Sequence, residues 1–127
     1  KLRTVVCIGA GINQVFTNQE MFARCPRMMR DGLANRLGAD AAQWDLLRTK
    51  CQVFSLKTQG LLGSRTSVPI LSIGHKKDFI CPEQDVRALA AASRNGKAVV
   101  FDKQPLLEVY DEALKETVDW LKKHLCT

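Results

Sequence analysis

Asp78 is the residue of this chain best placed to do chemistry. Around it, Val68 to Asp102 reads VPILSIGHKKDFICPEQDVRALAAASRNGKAVVFD. That pattern is a buried strand, a polar loop with one carboxylate, an amphipathic helix, a Gly turn and a second buried strand, which makes a βαβ unit. Open parallel sheets carry their chemistry just beyond the carboxyl ends of their strands, and Asp78 falls there. An acid that orients an imidazole must be anchored on a rigid strand end within reach of the ring N–H. The loop Gly74-His75-Lys76-Lys77-Asp78 supplies such an anchor. The structural alternative is that Asp78 merely caps a turn ahead of Pro82, with Lys76 and Lys77 as solvated neighbours.

The partners of such an acid are harder to find. His75 and His124 are the two histidines. His75 lies in the same loop but only three residues before Asp78, whereas a triad normally takes its histidine from the loop after the following strand. Here that loop is Asp102-Lys103-Gln104-Pro105-Leu106, without histidine. His124 sits in the last turn of a helix, where a cation is favoured for electrostatic reasons alone. A serine on a nucleophile elbow needs small neighbours, as in G-x-S-x-G, and none is present. Gly63-Ser64 is the nearest fragment, in a turn-rich connector. Gly9-Ala10-Gly11 has two glycines of a dinucleotide loop, but Gln14 stands where the third belongs. The paired carboxylates of a receiver-type phosphoacceptor are missing after the first strand. Cys7, Cys25, Cys51, Cys81 and Cys126 are widely spaced and odd in number, which fits reduced thiols of a cytoplasmic protein rather than zinc ligands or a disulfide framework. Neither a metal nor a cofactor is expected.

These residues need a sheet to hold them. Thr4–Ala10 is a β-branched apolar run and reads as a strand buried on both faces. Asn18–Leu37 is helical with a break at Pro26, and Met28, Met29, Leu33 and Leu37 share a stripe. Gly38 stops that helix, Asp40 caps the next, and Ala41–Phe54 carries Trp44, Leu47, Cys51 and Phe54 at helical spacing. Residues 18–67 thus form a helical and connector insertion between strands. Strand two is Val68–Gly74. The next helix starts near Pro82, buries Val86, Leu89, Ala90 and Ser93, and ends at Asn95-Gly96. Strand three is Lys97–Phe101. Tyr110–Leu125 has the clearest 3.6-residue period, and it is expected to bury Tyr110, Ala113, Leu114, Thr117, Val118, Leu121 and Leu125. The fold class is α/β, with three parallel strands and flanking helices. Because the first strand would be left as an unpaired apolar edge, and because the chain opens into a strand with no initiator Met, residues 1–127 are expected to be the C-terminal part of a larger doubly wound domain.

Composition narrows the function classes. The 127 residues, 46% hydrophobic and 25% charged, suit one globular core. No apolar run approaches the ~20 residues of a membrane span, and Lys1-Leu2-Arg3 leads into a strand rather than a secretory apolar region. The net charge of +6 comes from scattered lysines and arginines, with aromatics at only 6%. That reads as a solvated face, not a nucleic-acid site.

One further pattern is specific. The connector Ser55-Leu56-Lys57-Thr58-Gln59-Gly60-Leu61-Leu62-Gly63 is followed by Pro69-Ile70-Leu71-Ser72, Lys76, Asp78, Pro82-Glu83 and Asp85. Asn95-Gly96-Lys97, Tyr110-Asp111-Glu112-Ala113-Leu114 and Asp119-Trp120-Leu121 complete it. With these residues the chain resembles the C-terminal portion of the fermentation–respiration switch (FrsA-like) esterase family of bacteria. The resemblance continues in register from Val5 to Gly38. It implies an α/β-hydrolase-type sheet with a serine elbow upstream of Lys1, and hydrolysis of small carboxylic esters by the complete protein, with this segment inactive alone. It also implies Asp78 at the acid position. The family typically lacks a histidine after the last strand, and Gln104 matches that departure. The alternative it carries is a non-catalytic regulator of carbon metabolism that binds an acidic partner such as a phosphotransferase component.

Overall fold

A computed structural model of the chain describes residues 2–40, 42–63, 66–102 and 110–126. Its framework is a parallel sheet in the order β1 (Val5–Ile8), β2 (Ile70–His75), β3 (Lys97–Phe101). β2 is central, and Ile70 to Gly74 are all buried, which is why its sequence is an unbroken apolar run. Val5 pairs with Ile70 and Ile8 with Ile73 on one side; Leu71 pairs with Lys97 and His75 with Phe101 on the other. The three strands and their parallel sense are as the sequence implies. Their limits shift by one or two residues: β1 is shorter than Thr4–Ala10, and β2 starts after Pro69, which has no N–H to give the ladder.

The connection from β1 to β2 is helical: α1 (Gln14–Thr17), α2 (Gln19–Ala23), α3 (Arg27–Leu37) and α4 (Trp44–Cys51), then a 3₁₀ turn over Gln52–Phe54. Asn18 Oδ1 accepts the N–H groups of Glu20 and Met21 at 3.0 and 3.2 Å and so starts α2. Pro26 separates α2 from α3, and Gly38, at φ 58°, closes α3 in the left-handed conformation. Asp40 departs from expectation. Its carboxylate accepts the Ala42 N–H at 2.8 Å, an Asx turn that delays α4 until Trp44. Phe22, Ala34, Leu47 and Cys51 form the core of this layer. Met28 is not part of it: at 85% exposure it lies off the stripe, and Ala34 takes the buried position between Leu33 and Leu37.

α5 (Glu83–Ala91) crosses from β2 to β3, and α6 (Tyr110–Leu125) follows β3. The sheet carries apolar contacts on both faces. Val5, Cys7 and Ile70 meet Ile12, Leu89 and Ala92 on one face, while Val6, Leu71, Ile73, Val99 and Phe101 meet Ala113 and Trp120 of α6 on the other. Val86, Leu89, Ala90 and Ser93 are buried as read from the sequence. α6 is a correction. It buries Ala113 and Trp120 but leaves Tyr110, Leu114, Val118 and Leu125 exposed, because its contact with the sheet is centred on Trp120, whose indole N–H donates to Thr4 Oγ1 at 2.7 Å. β1 is likewise half-buried rather than covered on both faces, with Ile8 exposed.

Candidate functional site

The loops that leave β1 and β2 at their carboxyl ends are knitted together, and Asp78 sits in that knot. Its two oxygens have different tasks. Oδ1 accepts the N–H groups of Ile80 and Cys81 at 2.8 and 3.0 Å, so the turn-capping role is real. Oδ2 faces His75 Nε2 at 3.4 Å, both side chains being largely buried. The structure therefore brings together the carboxylate and the imidazole that the sequence places three residues apart, because the Asp78 N–H closes a turn onto the His75 carbonyl at 3.2 Å. The contact is longer than the 2.6–3.2 Å of a working hydrogen bond, a separation familiar in sites without substrate. The second ring nitrogen, His75 Nδ1, is buried and has no hydrogen-bond partner among the described residues.

Lys76, two residues before Asp78, has a different carboxylate as its partner. It reaches Asp102 Oδ1 at 2.5 Å, tying the ends of β2 and β3, and that hydrogen bond and charge raise the Lys76 pKa above its ordinary value. His124 lies at the other end of the sheet. It packs on Trp120 and lines a groove with Pro69, Gly96 and Lys97, all at the amino ends of the strands. The groove of about 540 Å³ beside α5 is polar and open, and Gln14, Asn18, Lys76 and Arg87 line it. Neither Asp78 nor His75 opens into it. Ser64 of the Gly63-Ser64 fragment, and residues 103–106 of the segment 102–106 where a triad histidine would be expected, lie outside the described residues.

A second carboxylate, without an assigned role in the sequence reading, holds this corner together. Asp85 is 1% exposed, and its Oδ2 accepts three backbone N–H groups, from Ile12 at 3.2 Å, Asn13 at 2.9 Å and Gln14 at 3.0 Å. Asn13 Oδ1 in turn accepts the Ser55 hydroxyl at 2.7 Å, and Ser55 Oγ accepts the Thr58 N–H at 3.2 Å. The opening of the connector motif is thus the far end of a network that begins at Asp85. From sequence, Asp85 looks like an ordinary first-turn acid favoured by the dipole of α5; the N–H groups it satisfies, in the turn after Gly11, lie 71–73 residues upstream.

The glycines of that turn also find their purpose. A Cβ on Gly11 would lie 2.5 Å from the Ile80 carbonyl oxygen, so only glycine lets the β1 loop rest on the Asp78 turn. The pair Gly9–Gly11 serves this close approach and the turn itself. Cys81 closes the knot: its thiol donates to the Ala10 carbonyl at 3.0 Å. Burial, then the negative charges of Asp78 and Asp85, push it up to about 12, which keeps it a protonated thiol and no nucleophile. Among the described residues no three His, Cys, Asp or Glu side chains come together as metal ligands, and no helix is long and apolar enough to cross a membrane.

Comparison with known proteins now adds the family. The family model described as "Esterase FrsA-like" matches residues 1–126. The proteins named "Esterase FrsA" of Escherichia coli O1:K1 and of Escherichia coli strain K12 / DH10B are each 36% identical over 126 residues, covering 99% of this chain. The chain spans 30% of the length of these curated relatives.

Proposed function

This chain belongs to the FrsA-like esterase family, and from that premise we propose that it forms the acid-bearing part of a cytoplasmic carboxylic ester hydrolase. The nucleophile and the oxyanion donors are supplied by the rest of the domain, so these residues alone do not turn over substrate. Asp78 is the orienting acid. The observation that carries this reading is the split use of its carboxylate: Oδ1 is fixed by two backbone N–H groups, and Oδ2 is left facing an imidazole.

In this reading Asp78 fixes the ring of His75 and stabilises the imidazolium that forms when the ring takes a proton from the nucleophile hydroxyl. The orphaned Nδ1 is the nitrogen left to receive that proton. An unpartnered buried nitrogen is costly, and a hydroxyl brought by the remainder of the domain would satisfy it. The substrate is a small carboxylic ester, and no cofactor takes part.

The test is steady-state hydrolysis of p-nitrophenyl esters by the longer protein carrying Asp78→Asn or His75→Gln. Asn keeps the oxygen that caps Ile80 and Cys81, so the loop should survive. Both variants should lose ~10³–10⁴-fold in kcat, and the double variant little more, as for residues acting as a unit. Unchanged turnover in Asp78→Asn would sink the acid role; unchanged turnover in His75→Gln alone would mean that Asp78 serves another imidazole.

The net charge of +6 favours a second reading, in which the hydrolase fold is kept as a regulator docking on an acidic protein such as a phosphotransferase component. Stoichiometric binding that weakens with salt, together with no ester turnover by the longer protein, would select it.

A further inference from the structure

Helices α1 and α2 and the start of α5 border an open groove of about 540 Å³ into which neither Asp78 nor His75 opens. Its size suits a small molecule. Lys76 and Arg87 bring two cations to it, against the single carboxylate of Glu83. The charges of Glu83 and Arg87 both act on Lys76, so the three groups share one small space. Gln14, Asn18 and Gln84 add side-chain amides, and Met21 and Pro82 an apolar portion of wall.

The cations are held in place without being used up. Lys76 gives its ammonium to Asp102 Oδ1, on a carboxylate that does not line the groove, and an ammonium has further donors to give. Arg87 places Nε and one Nη on a single Glu83 oxygen at 2.8 and 2.6 Å, which leaves its other Nη. Asn18 spends its Oδ1 on the Glu20 and Met21 N–H groups, which leaves an amide nitrogen that can only donate. α5 also starts in this wall, with no side-chain cap, so the positive end of its dipole adds to the two cations. Both ion pairs are exposed, Lys76 at 51% and Arg87 at 62%. Pairs of that kind hold each other only weakly and yield to a stronger acceptor.

We propose that this groove binds a small phosphate monoester, with its phosphate between Lys76 and Arg87 and its organic part against Met21 and Pro82. Phosphate fits the donor set better than carboxylate does. Its terminal oxygens point in several directions and can meet donors from the β2 loop, from α5 and from the turn between α1 and α2. A carboxylate offers two oxygens in one plane. The groove at the opposite end of the sheet, with Lys97 and Lys123, suits an anion less, because the last turn of α6 borders it and brings the negative end of a helix dipole. The site stands on its own residues. It does not depend on Asp78 acting as an acid, and the binding readouts that test it do not use ester turnover.

The test is a titration of the isotope-labelled longer protein with phenyl phosphate at constant ionic strength, followed by amide chemical shifts. Lys76, Glu83, Gln84 and Arg87 should shift along one saturable curve, while Lys97 at the far end of the sheet moves only in proportion to the ligand added. Lys76→Met and Arg87→Met should each weaken binding by about tenfold or more, and Lys97→Met should leave it within about twofold. Acetate should bind about tenfold more weakly than phenyl phosphate. Inorganic phosphate binding as tightly as phenyl phosphate would make the free ion the ligand of this same site. Shifts that never saturate, equal weakening by Lys97→Met, or acetate as tight as phenyl phosphate would each overturn the proposal, leaving only the general attraction of anions to a chain of net charge +6.

Discussion

Removing the buried Asp85 carboxylate should be strongly destabilising. In Asp85→Ala, the N–H groups of Ile12, Asn13 and Gln14 lose their common acceptor at 2.9–3.2 Å. A buried donor left unsatisfied costs about 1–3 kcal/mol. Three of them at the lower end give about 3 kcal/mol. The upper end is not reached, because the cost of keeping a carboxylate out of water disappears with the side chain. The expected loss is about 3–5 kcal/mol, set against a total stability of roughly 5–15 kcal/mol. Asp85→Asn keeps one oxygen but loses the charge that makes such bonds about twice as strong, so about 1–3 kcal/mol is expected. The assay is urea unfolding followed by Trp44 and Trp120 fluorescence, paired with hydrogen exchange at Ile12–Gln14. A change under about 1 kcal/mol in Asp85→Ala at constant m-value, or unaltered exchange at those three amides, would refute the reasoning.

Two further outcomes follow from burial and close approach. Cys51 and Cys81 are pushed from 9.0 up to about 11 and about 12, chiefly by burial. The folded thiols keep protons that the unfolded ones lose, so stability should fall as pH rises from about 9 toward 12. At pH 8.5, iodoacetamide should label exposed Cys126 and spare Cys51 and Cys81 until the chain unfolds; equal labelling of all three in the native protein would contradict this. Gly11→Ala and Gly32→Ala should move stability in opposite directions. The first forces a Cβ to 2.5 Å from the Ile80 carbonyl and should destabilise by about 1–3 kcal/mol. The second meets nothing within 4 Å inside α3 and should stabilise by up to about 1 kcal/mol. Thermal melts of the two variants decide it, and two shifts of the same sign would count against the packing described.

Periodicity revealed what depends on one segment at a time. β3 and α6 have the limits read from sequence, because an apolar run after Asn95-Gly96 and an uninterrupted 3.6-residue pattern are local properties. Asp85 was invisible for the opposite reason. Its partners are 71–73 residues away, and a first-turn acid has a sufficient local explanation in the helix dipole. Ser55 was hidden in the same way, since a serine in a turn-rich connector does not announce a buried bond to Asn13. The His75–Asp78 contact was legible only as proximity in the chain; that the intervening turn brings ring and carboxylate to 3.4 Å needed coordinates.

The two aspartates of this corner divide labour in a way that bears on how the chain is used. Asp85 gives one oxygen, Oδ2, to backbone. With three N–H groups on one oxygen, its work is to hold the β1 loop against α5. Asp78 spends only one oxygen on backbone and keeps the other for an imidazole. Gly11, Cys81 and Asp85 help to fix the neighbouring backbone without drawing on the second oxygen of Asp78. In the proposed reading, this arrangement would preorganise the acid, its position set by groups that do not compete for the second oxygen. It also predicts an asymmetry between the two residues. Substitutions at Asp85 should show first in stability, and Asp78→Asn should show first in turnover of the longer protein with its melting temperature nearly unchanged. A drop in melting temperature in Asp78→Asn as large as that in Asp85→Asn would reverse this assignment.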